Sequence, residues 1–365
     1  MSGLQSDSNG DLSELQVKYV EEAHAKLSRC LEAMGNVLVG QQTVNSNILT
    51  TLVAGGNANL IGLPGLGKSR LFENLGPVLG LDSQRIQFTS DLMPMDILGT
   101  EVEHIDENGE KGFKLIKGPV FTQLLMADEI NRAAPRTQSA LLQAMQEKKV
   151  TLNGREYFLK QGFNVVATQN PIEQEGTYPL PEAQMDRFLT QITISNTTAE
   201  DEKNFIRKVT SNSFADFEAL VKREAAGEDI LQRTQGDNAA VVEAILNDTD
   251  LIKYQLLART MPMGDKLYNK LINLVRAARP DSDTAHEDVK QNVSWGPGPR
   301  AQIAFMQAAR ARALIDGRFA PNDSDLKALA KPVLAHRMSL SHAARARGVT
   351  LDNIIDGVVK RELKL

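Results

Sequence analysis

The spacing of apolar residues changes period repeatedly along this chain, and each change predicts an element. Between Asp11 and about Met34, Leu12, Leu15, Val17, Val20, Ala23, Leu27 and Leu31 recur at mostly helical spacing, which predicts a long helix. A second helix carries Ile48, Leu49, Leu52 and Val53 and is expected to stop at Gly55-Gly56. Short runs of strand length follow at Ala58–Ile61, Arg85–Phe88, Leu124–Asp128, Phe163–Thr168 and Ile192–Ile194, several of them apolar. A helix is predicted from about Pro135 to Gln146. Gly112–Ile116 and Val150–Gly154 read as short strands with turns, and Asn153-Gly154 suits a two-residue hairpin because both residues tolerate positive φ. Strands alternating with helices, several apolar throughout, predict a parallel sheet with helices on both faces. From about Thr198 the period is helical almost to the end, most clearly at Asp248–Pro280 and Pro299–Gly317. The expected organisation is a disordered tail (1–10), an α/β domain with an N-terminal helix (11–196) and a C-terminal helical domain (197–365). Residues 212–247 are charged and weakly patterned, so no helix is assigned there.

Composition narrows the class. With 365 residues and 42% hydrophobic content the chain can bury a sizeable core. Its 41 basic residues against 46 acidic leave a net charge of −5, with no basic excess to hold a polyanion, so nucleic acid is an unfavoured partner. The single cysteine, Cys30, rules out a disulfide within the chain and points to a reducing compartment. No apolar run approaches the roughly 20 residues a bilayer requires, and the start lacks a signal pattern. The expectation is a soluble, cytoplasmic protein without membrane insertion.

The chemistry concentrates at Gly62-Leu63-Pro64-Gly65-Leu66-Gly67-Lys68-Ser69, between a predicted strand and a predicted helix. The spacing fits the phosphate-loop pattern G-x-x-x-x-G-K-[ST]. Glycines let the backbone fold tightly and aim its N–H groups at phosphate oxygens, and the helix adds the positive end of its dipole. Lys68 supplies a cation for the β- and γ-phosphates, and the Ser69 hydroxyl can ligate Mg²⁺. The expected ligand is therefore ATP with Mg²⁺.

Other polar residues fall at strand ends. Asp128 and Glu129 close an apolar run, where a carboxylate would sit beside the phosphate loop of an open α/β sheet. Asp128 can hold Mg²⁺, and Glu129 can accept a proton from the attacking water. Asn170 ends the next strand and can reach that water, although Asn-Pro also caps turns. Arg187 stands at the end of a short predicted helix and can act as an arginine finger in a neighbouring subunit. Arg300 follows Pro299 at a helix start, where a cation works against the helix dipole unless an anion is present.

Taken together, these residues resemble the AAA+ ATPases, and specifically the MoxR family. The resemblance includes the loop above, Phe88-Thr89-Ser90-Asp91-Leu92-Met93-Pro94-Met95-Asp96 and Gly118-Pro119-Val120-Phe121. It continues through Ala127-Asp128-Glu129-Ile130-Asn131-Arg132-Ala133, Gln138 to Glu147, Ala167 to Tyr178, Leu180 to Leu189, and Leu334-Ala335-His336-Arg337. It implies a RecA-like α/β domain, a C-terminal helical lid and assembly into hexameric rings. Nucleotide-binding roles are implied for Val39, Gly40, Gln41, Leu63, Pro64, Gly65, Leu66, Gly67, Lys68, Ser69 and Arg70. Asp128 and Glu129 would be the Walker B acids, Asn170 sensor 1, Arg187 the arginine finger and Arg300 sensor 2.

In this reading Lys68 and Arg300 grip phosphates from one chain and Arg187 from the next. The resemblance also implies chaperone-like remodelling of protein clients, often with a von Willebrand factor A domain partner. Rival functions are a chelatase-type motor for metal insertion, a nucleic-acid motor and a non-hydrolysing switch. The chain departs from the family at Ser69, where threonine is usual, and at Gly296-Pro297-Gly298, where Ala-Ser is usual before Pro-Arg. Its lid carries polar inserts near Thr210–Gly236 and Asp281–Lys290.

Overall fold

In the computed structural model, which describes residues 14–105, 111–172, 176–204, 206, 207, 217, 218, 221, 222, 225 and 244–364, the five predicted strands join in one sheet. The chain runs α1 (Glu14–Val37), α2 (Gln42–Val53), β1 (Ala58–Gly62), α3 (Lys68–Leu79), β2 (Ser83–Gln87), α4 (Pro94–Leu98), β3 (Gly99–Ile105), β4 (Lys111–Lys117) and β5 (Leu124–Asp128). A 3-10 turn at Ile130–Arg132 leads to α5 (Pro135–Glu147), β6 (Lys149–Leu152), β7 (Arg155–Phe158), β8 (Asn164–Gln169), α6 (Glu182–Met185) and β9 (Thr190–Ile194). The C-terminal part holds α7 (Asp250–Thr260), α8 (Asp265–Ala277), α9 (Glu287–Asn292), β10 (Val293–Trp295), α10 (Pro299–Ile315), α11 (Asp323–Leu334), β11 (Ser339–Leu340), α12 (His342–Ala346) and α13 (Leu351–Leu363). The tail at 1–10 and most of the unassigned 212–247 stretch lie outside the described residues.

The sheet order is β2-β5-β8-β1-β9, every pair parallel. All five residues of β5 are buried. Alternation sends Leu124 and Met126 into one core and Leu125 and Ala127 into another, so both faces are covered as predicted. The first core runs on through α1, α2 and α3 into the C-terminal helices, and the second lies under α5 and the base of β6. Edge strand β9 is packed by α11, whereas edge strand β2 shows polar side chains that blunt it.

Two hairpins stand off the sheet. In β6–β7, Asn153 and Gly154 take φ of 45° and 81°, the turn the sequence predicts. The β3–β4 hairpin is longer than Gly112–Ile116 suggests, because the charged strand Gly99–Ile105 pairs along its whole length with Lys111–Lys117. The hairpins are stapled through Glu101. Its carboxylate accepts from the Tyr157 hydroxyl and from Asn153 Nδ2 at 2.9 Å, with Arg155 at 3.7 Å, and its side chain is 1% exposed.

α10 is the central C-terminal helix. Its buried Ala301, Ala304, Ala308, Ala309, Ala311 and Ala313 are small enough for α2, α7, α8 and α11 all to approach it. Residues 244–260 fasten this part to the sheet. Gln123 Nε2 donates to Asp248 O at 2.8 Å, and Gln255 Nε2 to Leu52 O at 2.9 Å and Asn164 Oδ1 at 3.0 Å. No helix among the described residues is long and apolar enough to cross a membrane. Cys30 is buried in α1, and burial pushes its thiol up to about 12, out of reach of ordinary redox chemistry.

Candidate functional site

At the C-terminal end of the sheet the chain leaves β1 through an exposed loop, Leu63-Pro64-Gly65, and enters α3 at Lys68. Gly67 has φ of +81°, and a Cβ there would lie 3.0 Å from Leu38, so both the angle and the space call for glycine. Lys68 is buried, with Nζ donating to Gly62 O at 2.6 Å across the loop. Beside the loop lies a cleft of about 320 Å³ lined by Val39, Gln41, Leu66, Arg70 and Thr197, among others. Gln41 Nε2 donates to Ser195 O at 2.5 Å and so fixes this segment to the end of β9. Gly40 packs so closely that a Cβ would come within 2.7 Å of Asp201. A helix N-terminus and a buried ammonium suit a phosphate chain, and the adjoining cleft has room for a nucleoside.

β5 and β8 deliver the acids. The Thr168 hydroxyl donates to Asp128 Oδ1 at 2.6 Å and accepts from Glu129 N at 2.8 Å, tying the two acids together. Glu129 takes a left-handed φ of 55°, a conformation a non-glycine residue holds only where its surroundings enforce it. Its carboxylate accepts from Gln87 Nε2 at 2.7 Å and pairs with Arg132 Nε at 3.1 Å. Asp128 Oδ2 and Ser69 Oγ share one cationic neighbour, Arg85 Nη2, at 2.7 and 3.5 Å. Two hard oxygens facing one positive group fit Mg²⁺, which is commonly held by one or two protein oxygens with phosphates completing its shell. Asn170 is buried at the end of β8, where its Oδ1 accepts from Ile172 N at 3.3 Å in a turn.

The two arginines lie elsewhere. Leu189 N donates to Asn57 O at 2.8 Å and Thr190 pairs with Ala58, so Arg187 sits at the start of β1, not at its loop end. The length of β1 separates these ends by about 13 Å at the usual strand rise. Arg300, expected beside Lys68 in its own chain, is found with Arg187. Its Nη1 lies 3.4 Å from Asp186 Oδ2, and both arginines line a groove of about 240 Å³ with Gly55, Gly56 and Lys148. The reason is α10, which begins against the N-terminal end of the sheet and leads its first residues there. Burial, with Arg259 nearby, brings the Lys148 ammonium down to about 8.

Behind this groove Arg337 is 2% exposed and joins the C-terminal helices to the sheet. It reaches Asp186 Oδ1 at 2.7 Å, Phe188 O at 2.7 Å and Leu189 O at 3.1 Å. Burial lowers its pKa and the Asp186 carboxylate opposes that fall. His336 next to it meets Phe188 O at 3.1 Å.

The structure thus brings Lys68, Ser69, Asp128, Glu129 and Asn170 together and places Arg187 and Arg300 apart from them. Arg85, Gln87 and Thr168 join the acids without having been singled out in the sequence, and Arg132 joins them as the ion-pair partner of Glu129. Arg85 and Gln87 share a face of β2 by strand alternation, but only the strand order shows that β2 lies against β5.

Residues 58–190 match the ATPase family associated with various cellular activities (AAA), and residues 285–358 match the AAA lid domain. Chaperone MoxR1 of Mycobacterium tuberculosis is 34% identical over 93% of this chain and 82% of its own. Protein MoxR of Paracoccus denitrificans is 28% identical over 90% and 93%. A crystallised protein of Cytophaga hutchinsonii assigned as an ATPase superposes with a TM-score of 0.78 at 32% identity, covering 94% of this chain and 96% of that one. An α/β ATPase domain, a helical lid and relatives that match over most of both chains agree, and the chain belongs to the MoxR family of AAA+ ATPases.

Proposed function

We propose that this ATPase works as a ring, hexameric as the resemblance implies, in which each active site is completed by the neighbouring subunit. The carrying observation is the separation of the two groups along the sheet. Lys68, Asp128, Glu129 and Asn170 gather at one end, while Arg187 and Arg300 line a groove at the other. In one chain the arginines cannot reach the phosphate chain that Lys68 would hold. Lys68 binds the phosphates, Glu129 takes the proton of the attacking water and Asn170 orients it. Arg187 and Arg300 of the next subunit meet the charge that builds on the γ-phosphate. Mg²⁺, held by Ser69 and Asp128, neutralises phosphate charge when bound.

Mixing Lys68→Ala chains with Arg187→Ala chains tests this arrangement. Each variant alone is inactive, the first through lost nucleotide binding and the second through turnover. Random mixing restores an intact loop facing an intact arginine at about a quarter of interfaces, so ATPase activity returns. A mixture as inactive as its components overturns the reading.

The work done is remodelling or maturation of protein clients in the cytoplasm, with a von Willebrand factor A domain protein as partner. That the Mycobacterium relative is named a chaperone supports this. So do the exposed Ile105, Phe113, Ile116 and Phe158 on the two hairpins, an apolar surface that could grip protein. A Glu129→Gln chain holds ATP without hydrolysing it and should retain its client in an affinity capture. Recovery of a protein with a von Willebrand factor A domain supports the reading. Recovery of chelatase subunits or nucleic acid alone refutes it.

A further inference from the structure

Asp128 is 6% exposed, and a carboxylate this buried is costly unless a cation faces it. That cation is Arg85, whose Nη2 donates to Oδ2 at 2.7 Å while Oδ1 is taken by Thr168. The same Nη2 lies 3.5 Å from Ser69 Oγ. One guanidinium nitrogen therefore touches both oxygens that the proposed function gives to Mg²⁺. A hard dication draws on the same lone pairs of Asp128, and two positive groups within contact distance of each other repel. The Arg85 side chain is 36% exposed on an edge strand, so it has solvent to swing into.

We propose that Arg85 is a positioning residue that competes with Mg²⁺ for Asp128 and thereby sets how much metal the protein needs to bind nucleotide. It aims the buried carboxylate through the 2.7 Å contact to Oδ2, and it gives way to the metal. This rests on the reading of Ser69 and Asp128 as the metal-holding pair. A phosphate-binding arginine would act in the opposite direction, since its loss would weaken nucleotide binding at every Mg²⁺ concentration.

The test is a Mg²⁺ titration of the binding of a fluorescent ATP analogue to full-length wild type, Arg85→Ala and Arg85→Gln. The glutamine keeps a donor for Asp128 without the charge and guards against misfolding of the alanine variant. Both should lower the half-saturating Mg²⁺ concentration, by about fivefold for a partly exposed ion pair. Both should also melt at lower temperature in chelator without nucleotide, because Asp128 is left buried without its cation. A half-saturating Mg²⁺ that is unchanged or raised overturns the proposal. Ser69→Ala separates the two readings: with Arg85 intact it must raise the Mg²⁺ requirement, and if it does not, the metal assignment itself has failed.

Discussion

Thr168 organises the acids by a single hydroxyl, which gives to one carboxylate and receives from the backbone of the next residue. Such a residue has no signature in a sequence. The gathering of Lys68, Ser69, Asp128 and Glu129 at one end of the sheet was legible because such positions go with fixed spacing or with the end of an apolar run. Thr168, Arg85 and Gln87 were not, because their roles depend on which strands are neighbours. A residue-scale consequence follows at His336, which is buried with Nδ1 unpartnered and Nε2 facing Phe188 O. Burial first, and Arg337 beside it second, hold its pKa well below the usual histidine value. The unfolded chain takes up a proton near pH 6.5 that the folded chain refuses, so stability falls as pH drops below that value. The melting temperature should decline between pH 7 and 5, and His336→Gln should flatten the decline. An equal decline in both proteins would show that other groups cause it.

Among elements, the hairpins show the limit of apolar pattern most clearly. The sequence marked β6–β7 by Asn153-Gly154, whose positive φ values the structure reproduces. It marked only half of β3–β4, because Glu101, Glu103 and His104 break the alternation a strand usually shows. Glu101 is polar because it faces the other hairpin, and the Tyr157 hydrogen bond holds its carboxyl below the usual range, with Asn153 adding to the effect. Glu101→Ala should let the hairpins move separately. Hydrogen exchange in 99–105 and 149–158 should then speed up by about tenfold while β1 and β8 stay protected. Unchanged exchange in both segments would mean the staple does not hold them.

For the whole molecule, the α/β-then-helical order was legible from the change of apolar period. The hidden part was how closely the two parts join. Arg337, fully buried, belongs to a run that the resemblance marks without giving it a role, yet it carries carbonyl contacts from the chain entering β9. Nor could the helical pattern of α10 reveal that Pro299 begins it at the N-terminal end of the sheet, which is what moves Arg300 away from Lys68. The strand β5 adds one more consequence. Its residues alternate between a core that extends into the lid and a core sealed beneath α5 and a hairpin. The strand is thus a partition wall, and the acid pair at its end is fixed to both rooms at once. A shift of either core displaces this one strand, so the end of β5 that carries the two carboxylates is where strain from the lid side and from the hairpin side meets.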